Sequence, residues 1–86
     1  IIADTLIKPL ENGDVAVCFF NKGSDTRYFE HRMDDIVCRS YITTPLAQEY
    51  EVYDLWTKEI SVINTTLSAF VEPHGVKAFR IRAIAE

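Results

Sequence analysis

Short alternating runs of apolar and polar residues constrain this chain more than any other feature. Each run ends at a turn signal after roughly eight to twelve residues, a spacing typical of an all-β sandwich or barrel. Periodicity of the helical kind is nearly absent. The pattern therefore predicts an all-β fold, an antiparallel β-sandwich of about seven to eight short strands with Greek-key-like connections.

The runs assign strands along most of the chain. Pro9 indicates an edge strand, because proline cannot donate a hydrogen bond to a neighbouring strand. Asn12-Gly13 predicts a type I′ hairpin turn, since both residues tolerate the positive φ angles that this turn requires. Residues 14–21 are apolar on both faces and predict a strand covered on both sides. Residues 33–38 fit either a loop or a single helical turn. The predicted strands are residues 5–10, 14–21, 26–32, 39–43, 49–55, 60–63, 65–71 and 76–84.

Alternation also predicts the direction of side chains in the last two strands, because successive residues of a strand point to opposite faces. The chain closes with the strand at residues 76–84 after a tight return at residues 73–75. Leu67, Ala69 and Val71 share one face opposite Thr66, Ser68 and Phe70, while Phe79 and Ile81 face the core and Arg80 and Arg82 face solvent.

Trp56 is the one tryptophan of the chain and follows the predicted strand at residues 49–55. A ring in this position is either a core anchor or a platform on which a sugar or a base stacks. Aromatic residues of small sandwiches generally pack, so we expect Trp56→Ala to destabilise the fold by about 3–5 kcal/mol. The carboxylate of Asp54 should accept hydrogen bonds from turn amides. Packing is likewise expected, in place of an exposed binding platform, for Tyr28, Tyr41, Tyr50 and Tyr53.

Length and charge limit the classes of function. The chain has 86 residues, enough for one domain, and 48% of them are hydrophobic. The formal net charge of −4 argues against a nucleic-acid binder, which needs a basic surface. No apolar run approaches the roughly 20 residues that cross a bilayer. Because the sequence begins at Ile1 without a signal peptide, we expect it to be a piece of a longer protein.

The two cysteines are too few for a disulfide framework. Cys18 lies in an apolar run, where a thiol behaves as a small hydrophobic group. A disulfide between Cys18 and Cys38 stays an alternative to two free thiols. Free thiols are the expectation, and they favour a reducing, intracellular compartment.

Residues that could carry catalysis are scattered. Asp34 and Asp35 would point apart on a strand or be solvated on a turn, so we expect loop or cap roles for them. His31 and His74 have no neighbouring ligands at the spacing of a zinc site, and His74 should serve the turn between Pro73 and Gly75. The sequence thus predicts no catalytic residue, no metal site and no bound cofactor in this chain.

The order of several short motifs resembles one known family. The resemblance extends from about Leu6 to Ile84 and is weakest at residues 25–48, which do not align. The motifs are Lys8-Pro9-Leu10, Asn12-Gly13-Asp14-Val15-Ala16-Val17, Phe20-Asn21 with Gly23, Asp54-Leu55-Trp56 and His74-Gly75-Val76. In this order they resemble the C-terminal β-sandwich domain of family 27 glycoside hydrolases, the alpha-galactosidase (melibiase) and alpha-N-acetylgalactosaminidase group.

The resemblance implies that residues 1–86 are the C-terminal domain of a larger enzyme. Its N-terminal (β/α)8 barrel would release terminal alpha-linked galactose with retention of configuration and would carry both catalytic aspartates. This chain would then be non-catalytic and would support the barrel through an apolar surface, with contacts between copies of the chain as a further role. Trp56 would pack either within this domain or against the barrel. Two alternatives stay open: a carbohydrate-binding module that uses exposed aromatic rings, and an unrelated immunoglobulin-like interaction domain.

Overall fold

The computed structural model describes residues 4–84, which form seven strands and one short helix. The strands are β1 (Thr5–Pro9), β2 (Val15–Phe20), β3 (Arg27–Arg32), β4 (Tyr50–Asp54), β5 (Ile60–Ile63), β6 (Thr66–Val71) and β7 (Val76–Ala83), and the helix α1 is Met33–Val37.

The strands make two antiparallel sheets. A five-stranded sheet has the order β1-β2-β7-β4-β5, and β3 pairs with β6 in a two-stranded sheet. The chain crosses between the sheets four times, and β7 lies beside β2 and β4 instead of β6, its neighbour in sequence. The predicted antiparallel β-sandwich with Greek-key-like connections is confirmed, and β1 with Pro9 is an edge strand as expected.

The Asn12-Gly13 turn has the predicted backbone conformation. Asn12 and Gly13 have φ angles of 63° and 80°, both in the left-handed region. The turn is longer than a two-residue type I′ connection, because Glu11–Gly13 forms a short 3-10 segment and the Leu10 amide donates to the Asp14 carbonyl at 2.9 Å. Residue type therefore predicted the sign of the φ angles but not the length of the loop.

Alternation places the core between the sheets. In β2, Val15, Val17 and Phe19 are completely buried, whereas the residues between them are only partly buried. The outer face of β2 is thus not covered, and this corrects the prediction of a strand buried on both faces. Phe79 and Ile81 of β7 are buried as predicted. In β6 the face that Leu67, Ala69 and Val71 share is the inward one, because Leu67 and Val71 are buried and Ala69 packs against the core.

Two segments that alternation left unsettled or misassigned lie between β3 and β4. Residues 33–38 contain the helix α1, whose Met33, Ile36 and Val37 are buried. Residues 39–43 are not a strand. Ile42 donates to the carbonyl of Arg39 at 3.0 Å, so this segment closes a turn on itself instead of pairing with a neighbouring strand.

Phe19 of β2 provides the main contact between the two sheets. Its ring stacks on Phe29 of β3 at a centroid distance of 4.8 Å and an interplanar angle of 15°. His31 lies beside the same ring, and its Nε2 is hydrogen bonded to Oγ1 of Thr5 at 3.1 Å. Burial lowers the pKa of His31; the charge of Arg39 acts in the same direction and that of Asp35 opposes it. A neutral imidazole therefore suits this place between the sheets.

Asn21 joins the sheets at the end of β2. Its buried side chain donates to the carbonyls of Asp25 at 2.8 Å and of Val71 at 2.9 Å, and its Oδ1 accepts from the Gly23 amide at 2.9 Å. Val71 ends β6 in the other sheet. One amide group thus satisfies three backbone groups and fixes the chain where it crosses from one sheet to the other.

We expect Asn21→Ala to lower the free energy of unfolding by about 2–4 kcal/mol, because it removes three hydrogen bonds and leaves buried backbone groups unpaired. Urea denaturation measures the change. Asn64→Ala deletes the same amide at an exposed position and should change stability by less than about 0.5 kcal/mol. Equal effects of the two substitutions would contradict a joining role for Asn21.

Candidate functional site

Asp54, the last residue of β4, stabilises the turn that follows this strand. The Oδ1 of Asp54 accepts from the amides of Trp56 at 2.8 Å and Thr57 at 3.1 Å. The Lys58 amide donates to the Asp54 carbonyl at 2.9 Å, and Lys58 has a φ of 66°. The predicted structural role of Asp54 is confirmed, and the residues it binds have a defined backbone conformation.

Trp56 is 66% exposed, so a role as core anchor inside this sandwich is wrong, while packing against a barrel stays a prediction. Continued alternation would have turned its ring towards the core. However, β4 ends at Asp54, and the turn that Asp54 stabilises directs Trp56 away from the core. The turn therefore overrides the strand pattern two residues before the tryptophan.

Trp56 borders a cleft of about 430 Å³ at one end of the sandwich. Phe70, on the outer face of β6, is 63% exposed and lines the same cleft. The cleft therefore has two exposed aromatic rings and a rim that carries charged and hydroxyl groups. Its other lining residues are Thr26, Asp54, Thr57, Val71, Glu72, Gly75, Val76 and Lys77.

A tight turn between β6 and β7 forms the opposite wall of this cleft. The Gly75 amide donates to the Glu72 carbonyl at 2.9 Å, and His74 has a φ of 56°. A Cβ on Gly75 would lie 2.9 Å from the Glu72 oxygen, closer than such atoms approach, so glycine is required. The backbone amide of Asn21 donates to the Gly75 carbonyl at 2.9 Å. His74 thus has the turn role predicted for it.

The tyrosines considered for a sugar-stacking platform do not lie together on one surface. Tyr28 is half-exposed, and its ring centroid is 4.9 Å from that of Phe70 on the adjacent strand. Tyr50 is buried as predicted, and its hydroxyl accepts from the Ala47 amide. Tyr41 is exposed, so the packing expected for it is wrong, but it does not line the cleft. Phe70 was not considered for a platform, although alternation put it opposite the core-facing residues of β6.

The outer face of the five-stranded sheet has an apolar end. Four of its residues are neighbours on adjacent strands. Leu6 of β1 pairs with Cys18 of β2, and Cys18 pairs with Ala78 of β7. Leu55, which follows β4, donates its amide to the Ala78 carbonyl. Phe20 likewise pairs with Val76. All these side chains are partly or largely exposed. We call this group the apolar patch: Leu6, Cys18, Phe20, Leu55, Val76 and Ala78.

The other end of that face is charged. The carboxylate of Asp14 is buried and lies 2.8 Å from Nε of Arg80 and 3.8 Å from Nε of Arg82. Arg80 and Arg82 are on the outer face as predicted, and they also compensate this buried charge. Glu51 and Tyr53 line a shallow pocket of about 300 Å³ beside them.

The remaining candidates for chemistry do not meet. Asp34 forms an ion pair with Arg32 at 3.0 Å, and His31 is between the sheets. Within residues 4–84, no three His, Cys, Asp or Glu side chains are grouped as a metal site requires. Cys18 and Cys38 are free thiols, and burial raises the pKa of Cys18. In the same residues, no helix is long and apolar enough to span a membrane.

Exposure of Trp56 changes the expected effect of its removal. We expect Trp56→Ala to lower the free energy of unfolding by less than about 1 kcal/mol, because little buried area is lost. Phe19→Ala, which removes a completely buried ring, should cost about 3–5 kcal/mol. Thermal and urea denaturation of both variants test this. A large loss of stability for Trp56→Ala would mean that the ring packs in solution.

Comparison with known proteins identifies the family. The model of the alpha galactosidase C-terminal beta sandwich domain matches residues 3–81. The chain is 36% identical over 69 residues to an alpha-galactosidase of Saccharomyces paradoxus and 40% identical over 71 residues to one of Zygotorulaspora mrakii. These matches cover 79% of this chain but 14% and 15% of the two relatives. The chain belongs to the alpha-galactosidase C-terminal β-sandwich family.

Solved structures support the same fold. Alpha-galactosidase I of Mortierella vinacea superposes with a TM-score of 0.77 at 22% identity, over 99% of this chain and 22% of that one. A GH27 β-L-arabinopyranosidase of Geobacillus stearothermophilus also gives 0.77, at 17% identity, over 94% of this chain and 17% of that one. An alpha-galactosidase of Saccharomyces cerevisiae, solved with raffinose, gives 0.69 at 19% identity, over 91% and 27% of the two chains. At these identities the likeness is one of fold.

Proposed function

We propose that this chain is the non-catalytic C-terminal domain of an alpha-galactosidase-like retaining glycoside hydrolase, and that it supports the (β/α)8 barrel of the parent protein. The apolar patch is the observation that carries the proposal. It is supported by family membership and by the small share of each relative's length that the chain spans.

The patch requires cover that the sandwich itself does not supply. An antiparallel sheet with one face on its core normally carries polar residues on the other face. Here Glu51, Arg80 and Arg82 give the outer face that character at one end, where Ile60 and Val62 of edge strand β5 are also exposed, while six apolar residues stand together at the opposite end. An interface between domains of one chain buries roughly 600–1,500 Å², and a flat apolar area of this kind fits such an interface.

The position of the patch also fits a preceding domain. In a C-terminal domain the rest of the chain arrives before β1. The Phe20 amide donates to the carbonyl of Asp4 at 2.9 Å, so the entry to β1 lies beside the apolar end of the sheet. A barrel attached there is close enough to cover Leu6, Phe20 and Val76.

The contacts of three carboxylates support a non-catalytic role. Retaining hydrolysis uses two carboxyl groups about 5 Å apart, one as nucleophile and one as acid and base. The carboxylate of Asp14 is paired with Arg80 and that of Asp34 with Arg32, and the carboxylate of Asp54 accepts hydrogen bonds from the amides of its turn. In this proposal both catalytic carboxylates belong to the barrel.

The isolated 86-residue chain should therefore hydrolyse no alpha-galactoside. The assay follows release of the chromophore from a nitrophenyl alpha-galactoside, with a buffer blank and the complete parent enzyme as positive control. Turnover that exceeds the blank, and that co-purifies with the folded chain, would contradict a non-catalytic role.

Cys18 offers a native probe of the patch. In the 86-residue chain its raised pKa means less thiolate at neutral pH, so alkylation should be slower than at the exposed Cys38 and should accelerate as the pH rises. In the parent protein Cys18 should be protected at least tenfold further, while Cys38 reacts as before. Mass spectrometry of the alkylated protein measures both sites.

A substitution pair tests the same surface by stability. Leu6→Lys should lower the melting temperature of the parent protein, because a charge would be buried at the interface. Val62→Lys changes an exposed valine on the outer face of edge strand β5 and should leave the melting temperature unchanged.

The labelling experiment can also contradict docking on the barrel. Equal labelling of Cys18 in the 86-residue chain and in the parent protein would do so, as would protection of Cys18 only when the isolated chain dimerises.

A further inference from the structure

We infer that the cleft between Trp56 and Phe70 binds a pyranose ring of an oligosaccharide. The inference rests on other residues than the docking role proposed for the apolar patch, except that Val76 belongs to the patch and also lines the cleft. It depends on the exposure of two aromatic rings, on the fixed backbone beside Trp56, on unpaired charged groups at the rim and on the direction in which the aromatic surface continues.

The backbone that carries Trp56 is organised before any ligand arrives. Two amides of its turn bind Oδ1 of Asp54, and the strand-closing bond from the Asp54 amide to the Glu59 carbonyl is 2.9 Å long. A pyranose ring presents C–H groups on one face, which stack on an aromatic ring much as an apolar surface does. A platform with a fixed backbone loses less conformational entropy when such a ligand binds.

The rim supplies two charged groups that are not used elsewhere in the described structure. Among residues 4–84, Glu72 and Lys77 take part in no ion pair and no side-chain hydrogen bond. The hydroxyl groups of Thr26 and Thr57 lie on the same cleft, and Oγ1 of Thr57 accepts from the Glu59 amide at 3.3 Å while its O–H can still donate. Carboxylate, ammonium and hydroxyl groups around an aromatic ring match the alternating acceptors and donors of a sugar.

The same rim disfavours a protein surface as the occupant. A dry protein interface would bury the charges of Glu72 and Lys77 without partners, at a considerable cost in free energy. A neutral sugar replaces the water on these groups with its own hydroxyls, and bridging water can remain. The cleft therefore differs in chemistry from the apolar patch, which has no charged member.

The aromatic surface continues away from the patch. Trp56 and Phe70 both line the cleft, and Tyr28 lies beyond Phe70. The ring centroids of Phe70 and Tyr28 are 4.9 Å apart on the outer face of the two-stranded sheet. That face is on the opposite side of the sandwich from the apolar patch. A row of three exposed rings fits more than one sugar unit, so the ligand class is an oligosaccharide.

The test is a titration of the 86-residue chain, whose single tryptophan reports on the cleft by fluorescence. Raffinose, which ends in galactose, and maltotriose, which contains only glucose, are the two probes. We expect saturable quenching or enhancement with a millimolar dissociation constant for at least one of them. The sugar that binds tells whether the cleft prefers galactose or accepts pyranoses in general.

Variants locate the binding. Phe70→Ala and Glu72→Gln should each weaken affinity at least fivefold, and calorimetry should find no binding to Trp56→Ala. Tyr41→Ala removes an exposed ring outside the cleft and should bind as the original chain does. Circular dichroism confirms that each variant is folded. Absence of saturable binding to both sugars, or binding that survives Trp56→Ala, overturns the inference.

The parent protein separates this inference from the docking proposal. Hydroxyl-radical footprinting should modify Trp56 in the parent as readily as in the 86-residue chain, while Cys18 is protected. Protection of Trp56 without sugar would show that the cleft is covered by the barrel, which overturns sugar binding and leaves the docking proposal intact. Accessible Trp56 together with accessible Cys18 would overturn docking alone.

Discussion

The stack of Phe19 on Phe29 is the contact on which the rest of this structure depends. A two-stranded sheet is at best marginally stable alone in water, so β3 and β6 require a partner surface. Phe19, completely buried, meets Phe29 at 4.8 Å and the edge of Phe79 at 6.0 Å, and so joins both sheets. Without that packing, neither the turn that follows β6 nor Phe70 on its outer face would have a fixed position.

Polar contacts then specify how the two sheets are aligned. Apolar packing is not directional, but the hydrogen bonds of Asn21 and the bond between Thr5 and His31 each require particular backbone groups to meet. Asn21 acts twice, because its side chain binds the end of β6 while its own amide donates to Gly75 in the turn before β7. The core and the wall of the cleft are therefore connected through one residue.

The amino-acid sequence predicted those features of the fold that depend on the period of apolar residues and on residue type. Alternation located most strands, the residues that share a face of β6 and the inward residues of β7, and Asn12 and Gly13 have the φ signs that their residue types suggest. The helix α1 could not be settled, because five residues are too few to show a helical period. The exposure of Trp56 was missed because a side-chain bond from Asp54, two residues earlier, ends the strand. Strand order and the apolar patch also depend on pairing between distant segments, which a local pattern does not contain.

Backbone conformation at the two turns that border the cleft supports a functional reading of that end of the sandwich. Lys58 and His74 have positive φ angles, as Asp4 and Asn12 do elsewhere in the described chain, and such angles cost an ordinary residue about 1–2 kcal/mol each and are adopted freely by glycine. Such costs persist where surrounding contacts enforce them, and they concentrate at binding sites. Here the contacts are the bonds of Asp54 on one wall and the Glu72–Gly75 bond on the other. A domain that only covered a barrel would need its apolar patch but not a large, exposed ring on a turn fixed in this way.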